Sequence, residues 1–302
     1  MKKIPLGRPY INTELALSKI KEVLESRWIS GGPRINEFEE KVKEYNNDLK
    51  GHYIAVSNCT TALEMALLTI NDGKRLNVAD EVIVPSWSWV ASGFAVNNSG
   101  GTPVWCDINE YGIPYAEDIE SRITSNTKAI IIVHQMGIPC DLDKINALSK
   151  KHNIPIIEDS ACAFGTEYKG NKIGKSRNIV CYSFQARKCL TTGEGGMIVV
   201  RDPQQAEWLK SYRAFGTSVS PLERYNRDQV VDLLRKRNIG CKWDIQAIHK
   251  EPAYNQDHHD NNLPQTLKYH NQGLWLGFYA EITKEDQEYV IDQLKSVLKE
   301  LK

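Results

Sequence analysis

An apolar run of about eighteen residues, the length a membrane-crossing helix needs, occurs nowhere in this 302-residue chain, so no span is expected. Charge of one sign is missing too. Lys plus Arg and Asp plus Glu number 38 each, which leaves no overall field to favour nucleic acid or an anionic membrane. No CxxC pair occurs among the seven scattered cysteines (Cys59, Cys106, Cys140, Cys162, Cys181, Cys189 and Cys241), and no signal-peptide pattern precedes them. An odd, dispersed set of this kind fits reduced thiols in a cytoplasm better than a disulfide framework. Internal repeats and low-complexity tracts are absent. So is a phosphate loop: GNKIGKS at 170–176 is one residue short of the pattern and runs into a strand rather than a helix. The one His-rich run, QDHHD at 256–260, lies in a polar, irregular setting that suits a solvated loop better than a metal site.

What is present is an ordinary globular composition, 41% apolar and 25% charged. The length allows one large core and a second small one. Two amphipathic helices open the chain, one carrying Leu15, Ile20, Val23 and Leu24, the other Ile35, Phe38, Val42 and Tyr45, with Gly31-Gly32-Pro33 between them. After Gly51 short Val- and Ile-rich runs follow at 52–56, 81–84, 103–106, 129–133, 155–157, 179–184 and 197–200. Apolar on both faces, they suit buried strands of a mostly parallel sheet. Helical patterns lie between them, at 61–70 with a Thr61/Glu64 capping-box pair, and at 142–152. A last helix is expected over 284–301 with Thr283 as its N-cap. Strand–helix alternation of this kind makes an α/β domain. A polar stretch between Gly216 and Gly240 marks the expected boundary between a large domain, 1–216, and a small one, 217–302.

Four stretches carry chemistry. In SFQARKCLTTGEGG (183–196) a strand ends at Ser183-Phe184 and a loop presents Lys188. A lysine at the carboxyl edge of such a sheet sits where α/β proteins hold ligands, and partial desolvation would make its amine a nucleophile able to form an imine. Taken alone, it could equally be a solvated loop lysine. In PIIEDSACAFG (155–165) a buried strand runs into Glu158-Asp159. These strand-end acids would suit a protonated ring nitrogen or, with a phosphate loop, a metal. In VSNCTTAL (56–63) a polar turn enters a helix whose first-turn N–H groups, with Thr60 and Thr61, make a competent phosphate site. A plain helix cap explains those residues as well. In PSWSWV (85–90) one of Trp87 and Trp89, expected on opposite sides, could stack on a flat ring.

Taken in order, WISGGPRINEFEEKVKEY (28–45), VSNCTTALEMAL, DEVIVPSWSWVASGFAV, PIIEDSACAFGTEYKG and SFQARKCLTTGEGG resemble the DegT/DnrJ/StrS family of nucleotide-sugar aminotransferases over most of residues 3–216. The resemblance implies a three-layer α/β fold of the aspartate-aminotransferase type (fold type I), with pyridoxal 5′-phosphate as cofactor. It implies Lys188 as the Schiff-base lysine and Asp159 as the partner of the ring nitrogen. Thr60, Thr61 and Ser183 fall on the phosphate ligands, Trp89 on the ring that stacks on the cofactor, and Cys162 on the position near its phenolic oxygen. The implied reaction moves an amino group from glutamate to a nucleotide-linked keto-sugar, in the making of cell-surface polysaccharide or antibiotic sugars. The implied assembly is a homodimer.

The chain departs from the family's pattern in three places. Gln185-Ala186 replaces a usual His-Pro, and Arg177-Asn178 a common Gly-Asp. After Arg213-Ala214-Phe215-Gly216 the family continues into an Asn-Tyr-Arg segment and a long helix, whereas this chain rejoins the closing pattern near RKRNIGCKWDIQAIHKEPAY (235–254). The expected C-terminal domain is therefore reduced. A paralogue that binds cofactor or sugar nucleotide without turnover, as an assembly or regulatory partner, is the competing expectation.

Overall fold

The computed structural model describes residues 9–216, 229–243, 247–248, 263–272, 274–277 and 279–300. The chain divides into two compact units, Met1–Lys210 and Ser211–Lys302. Most of the polar stretch expected to hold the domain boundary lies outside the described residues, as does QDHHD.

In the first unit, helices α1 (Thr13–Ser26) and α2 (Pro33–Tyr45) precede strand β1 (His52–Val56) and helix α3 (Cys59–Ile70). Then follow β2 (Glu81–Pro85), α4 (Ala91–Asn98), β3 (Thr102–Cys106), α5 (Ala116–Ser121), β4 (Thr127–Val133), α6 (Leu142–His152) and β5 (Ile156–Asp159). A two-stranded hairpin, β6 (Glu167–Tyr168) with β7 (Asn171–Lys172), leads to β8 (Ile179–Ser183), β9 (Gly196–Val200) and α7 (Pro203–Arg213). The hairpin takes up the first three residues of GNKIGKS, with Asn171 and Lys172 forming β7, so that stretch is not a phosphate loop leading into a helix.

Seven strands form one sheet in the order β1-β9-β8-β5-β4-β2-β3. All neighbours pair in parallel except the two contacts of β9, which is antiparallel to both β1 and β8. Six strands therefore share one direction, and their carboxyl ends share one edge. The strands are apolar throughout because helices cover both faces. On one face Ile54, Val84, Ile131, Ile157 and Ile198 pack with α3, α4 and α7. On the other Ile83, Ile130, Ile132, Val180 and Val199 pack with α2, α5 and α6. The result is the expected three-layer α/β fold. In contrast, α1 buries none of its residues, and Leu15, Ile20 and Leu24 of its apolar stripe are exposed.

Two helix starts show what pattern-reading resolves. Thr283 caps α10 (Lys284–Glu300) reciprocally, accepting from the Asp286 N–H at 3.1 Å while its own N–H donates to Asp286 Oδ2 at 3.0 Å. The Thr61/Glu64 box does not form. Asn58 is the cap of α3, its Oδ1 accepting from Thr61 N–H at 2.8 Å, and Glu64 instead accepts from Asn98 Nδ2 at 2.7 Å. An Asx side chain three residues earlier reaches the first-turn amides better than Thr61, which already lies inside the helix.

The second unit contains α8 (Gln229–Lys236), an antiparallel pair of β10 (Cys241–Trp243) with β11 (Leu274–Leu276), α9 (Pro264–Gln272) and α10. Its small core is built on Leu234, Ile239 and Val297.

Where β9 passes the start of α3, a Cβ on Gly196 would lie 2.4 Å from the Asn58 carbonyl carbon and 2.7 Å from Cys59 N. Only a residue without a side chain lets strand and helix start approach this closely. We expect Gly196→Ala to lower stability by about 1–3 kcal/mol through overpacking, read as a fall in the urea unfolding midpoint at unchanged m-value.

Candidate functional site

The shared carboxyl edge gathers five connections. The turn after β1 leads into α3, the turn after β2 into α4, and β4 exits at His134. Residues 160–165 follow β5, and the loop between β8 and β9 carries Lys188. Together they line one cavity of about 940 Å³. Thr60, Thr61, Trp89, Asp159, Cys162, Ser183 and Lys188 all face it. Seven positions drawn from four separate stretches thus converge on one volume.

Asp159 lies at its floor, only 4% exposed. Its Oδ2 accepts from Ser92 Oγ at 2.8 Å and its Oδ1 from Ala161 N–H at 3.1 Å, with the Cys59 thiol 3.9 Å from Oδ1. Burial raises its pKa above the ordinary aspartate value, and these donors with the Lys188 charge offset only part of the rise. The carboxylate is short of positive charge. A cationic group entering the cavity would find an acceptor already oriented.

Its neighbour in sequence points to the other face of the sheet and is fully supplied. Cys140 N–H donates to His134 Nδ1 at 3.1 Å, so the ring proton sits on Nε2, which donates to Glu158 Oε2 at 3.0 Å. Asn178 Nδ2 donates to Oε1 at 2.7 Å. Burial alone would push Glu158 up, yet the donors His134, Ser176 and Asn178 hold it below the ordinary glutamate value. Of the two strand-end acids, Asp159 is therefore the one available to a ligand.

Lys188 reaches the cavity from a loop that is tied to itself. Its N–H donates to Gln185 O at 2.8 Å, Thr192 N–H to Phe184 O at 3.0 Å, and Thr191 Oγ1 to the same carbonyl at 2.9 Å. Gly193, at φ +87°, makes the return turn. Lys188 Nζ donates to Cys162 Sγ at 3.3 Å. Ser183, at the end of β8, is nearly buried.

At the start of α3 the Asn58 side chain takes the Thr61 amide and its carbonyl takes the Ala62 amide. The amides of Cys59 and Thr60 precede the first in-helix bond and lie where the helix dipole favours an anion. The Ser57 and Thr61 hydroxyls are 3.3 Å apart. Trp89, 68% exposed, lies with the Arg187 guanidinium 5.8 Å from its ring centroid. Trp87 lines the same cavity, against the expectation that the two indoles part. Residues 86–90 form a turn rather than an extension of β2, so strand alternation does not apply to them.

Pyridoxal phosphate fits this donor set. A buried carboxylate short of charge suits its ring nitrogen, the amine its carbonyl, a helix start with hydroxyls its phosphate, and an indole its face. Among the described residues there is no group of three or more His, Cys, Asp or Glu that could hold a metal ion. Pattern-reading missed Ser92 beneath Asp159, along with Gln135, Met136 and Glu194 on the cavity wall. Nothing local marks them; only the tertiary fold brings them in.

The profile described as the DegT/DnrJ/EryC1/StrS aminotransferase family matches residues 11–225 and 217–295. A GDP-perosamine synthase of Escherichia coli O157:H7 is 40% identical over 241 residues, which is 79% of this chain and 64% of that protein. The chain thus spans less than two thirds of that relative's length. Among solved structures, the aminotransferase TlmJ of Streptoalloteichus hindustanus superposes with a TM-score of 0.66 at 24% identity, over 99% of this chain and 100% of its own. Helicobacter pylori PseC, an aminotransferase of pseudoaminic acid biosynthesis, gives 0.67 at 21% identity with the same coverage. At these identities the two structures share the fold.

Because folding raises the Asp159 pKa, the ionised side chain costs the ligand-free protein stability above that pKa, and the cost fades as pH falls toward the unfolded value. We expect ligand-free Asp159→Asn to unfold at a higher temperature than the parent at neutral pH, the gain disappearing below about pH 4, near the unfolded aspartate value. Calorimetry across that range checks it.

Proposed function

As the chain belongs to the DegT/DnrJ/EryC1/StrS aminotransferase family, we propose that it is a pyridoxal-phosphate-dependent aminotransferase, moving an amino group from glutamate to a keto-sugar carried on a nucleotide. The observation that carries this is the meeting of Lys188, Asp159 and the α3 start in one cavity. When bound, the cofactor supplies a carbonyl that accepts an amino group and a cationic ring that withdraws electrons from the reacting carbon.

The chain's own residues do the rest. Asp159 keeps the proton on the ring nitrogen. Thr60, Thr61 and Ser183, with the first amides of α3, bind the phosphate and orient the ring. Trp89 covers one face of the ring and keeps water from it. Lys188 holds the cofactor between turnovers and, once released, carries the proton between the donor's α-carbon and the cofactor's C4′. Cys162 keeps a small, weakly polar group beside that amine, 3.3 Å away, and would border the cofactor there. The relative named for GDP-perosamine supports a nucleotide-bound amino sugar as product. The exposed Leu15, Ile20 and Leu24 of α1 support a homodimer, and the free thiols support a cytoplasmic setting.

A second reading, cofactor binding without turnover, is favoured by the lack of the family's Asn-Tyr-Arg segment after Gly216. One experiment separates the two. Borohydride reduction of the loaded protein should fix a phosphopyridoxyl group on Lys188, and Lys188→Ala should take up none; a label on Lys172 or Lys175 would sink the assignment. L-glutamate added to unreduced protein should convert the visible absorbance to that of the amine form of the cofactor. A loaded protein indifferent to glutamate supports binding alone.

A further inference from the structure

Beneath Asp159 runs a pair of serines that the proposed chemistry has not used. Ser92, in the first turn of α4, is 0% exposed, and its Oγ lies 2.8 Å from Asp159 Oδ2. Ser88, in the turn after β2, has its Oγ 3.0 Å from Ser92 Oγ. A hydroxyl has one proton to give. Ser92 Oγ also lies 3.4 Å from Trp89 O, but the shorter contact to an ionised acceptor takes the proton. Ser92 Oγ is then left to accept, and Ser88 donates to it. The direction of the chain follows: Ser88 to Ser92 to Asp159.

We propose that Ser88 and Ser92 form a hydroxyl relay that positions Asp159 and tunes its hold on the proton shared with a cationic ring nitrogen. The inference rests on the cofactor reading above. In the sheet order β5-β4-β2 the relay crosses over β4, fastening the exit of β2 to the exit of β5. Trp89 lies between the two serines in sequence, so one short segment both holds the indole on the cavity wall and orients the carboxylate on its floor. In-line hydroxyls polarise one another, which strengthens the final bond to Asp159.

Other groups near Asp159 could mimic such an effect. Lys188 from the β8–β9 loop and His134 from the exit of β4 act on its charge. The Cys59 thiol of α3 and the Cys181 thiol of β8, both buried and pushed up by burial, also face it. On the remaining side α4, reading ASGFAVNN, offers no titratable side chain. There the relay supplies the polarity.

The probe is pyridoxamine phosphate, which forms no bond to Lys188, titrated into the cofactor-free chain of 302 residues. Binding is followed by tryptophan fluorescence, since Trp87 and Trp89 line the cavity, from about pH 5 to pH 8, the span in which unshielded carboxylates and the ligand phosphate titrate. Binding to the parent should weaken on the acid side as Asp159 takes up a proton, and Asp159→Asn should lack that limb. The ligand's own titrations are common to all variants. Removing the Ser92 donor makes the carboxylate more basic, so Ser92→Ala should move the acid limb to higher pH. It should also weaken binding at neutral pH roughly tenfold, as loss of a hydrogen bond to a charged group does. Ser88→Ala, at a half-buried site, should move the limb the same way by less, and it decides the matter if Ser92→Ala fails to fold. A relay with no such role would leave the limb where it is in both variants, whether or not affinity falls evenly at every pH; that result overturns the proposal. A parent chain that binds no pyridoxamine phosphate overturns the cofactor reading, and the relay with it.

Discussion

A carboxylate buried without a full complement of positive charge is expensive, and the edge of this fold is arranged around one. Asp159 ends a central strand, flanked by β4 and β8, where only 4% of it is exposed and where isolated ions are costly. Two donors and a nearby amine make it bearable without satisfying it. The remaining deficit is what a cationic ligand group would make good. Stability given up at this one side chain is recovered only when the cavity is filled, the usual relation between a strained site and its ligand.

The neighbouring Glu158 shows that the deficit is local rather than a property of the strand. One residue away and on the opposite face, an equally buried carboxylate has three donors and a lowered pKa. Strand alternation sends one acid to the cavity and one into a closed network with His134, Asn178 and Ser176. That network also fastens the exit of β4 to the loop before β8, so the frame around Asp159 is rigid even though Asp159 itself is poised. Tight approach serves the same end elsewhere. Gly196 lets β9 press against the start of α3, which holds the first amides of that helix at the same edge as the carboxylate.

Much of this was legible beforehand, for identifiable reasons. Seven apolar runs without alternation became the seven strands of a sheet covered on both faces. The motif residues Lys188, Asp159, Thr60, Thr61, Ser183, Trp89 and Cys162 all lie at strand ends, in the loops that follow them or at a helix start, so a parallel sheet was bound to bring them to one edge. Failures came where a local pattern had a second solution. The Thr61/Glu64 pattern reads as a capping box, but the helix begins two residues before Thr61 and its cap is Asn58, which the pattern did not single out. Strand alternation would send Trp87 and Trp89 to opposite sides, but the chain turns after Pro85 and brings both to the cavity.

The order of apolar runs, helix starts and chemistry-bearing turns by itself determined the layered α/β architecture, the family, and which side chains could meet at the sheet edge, because parallel strands all present their carboxyl ends on the same side. The residues alone left the acids at 158 and 159 equal, and the resemblance pointed to Asp159; the tertiary structure turned that acid to the cavity, where a one-residue change of register would have exchanged them. It alone brought Ser92, 67 residues away in sequence, under Asp159. It also left Asp159 short of charge while Glu158 was satisfied. That difference comes from donors on distant loops, whose arrival no local pattern encodes.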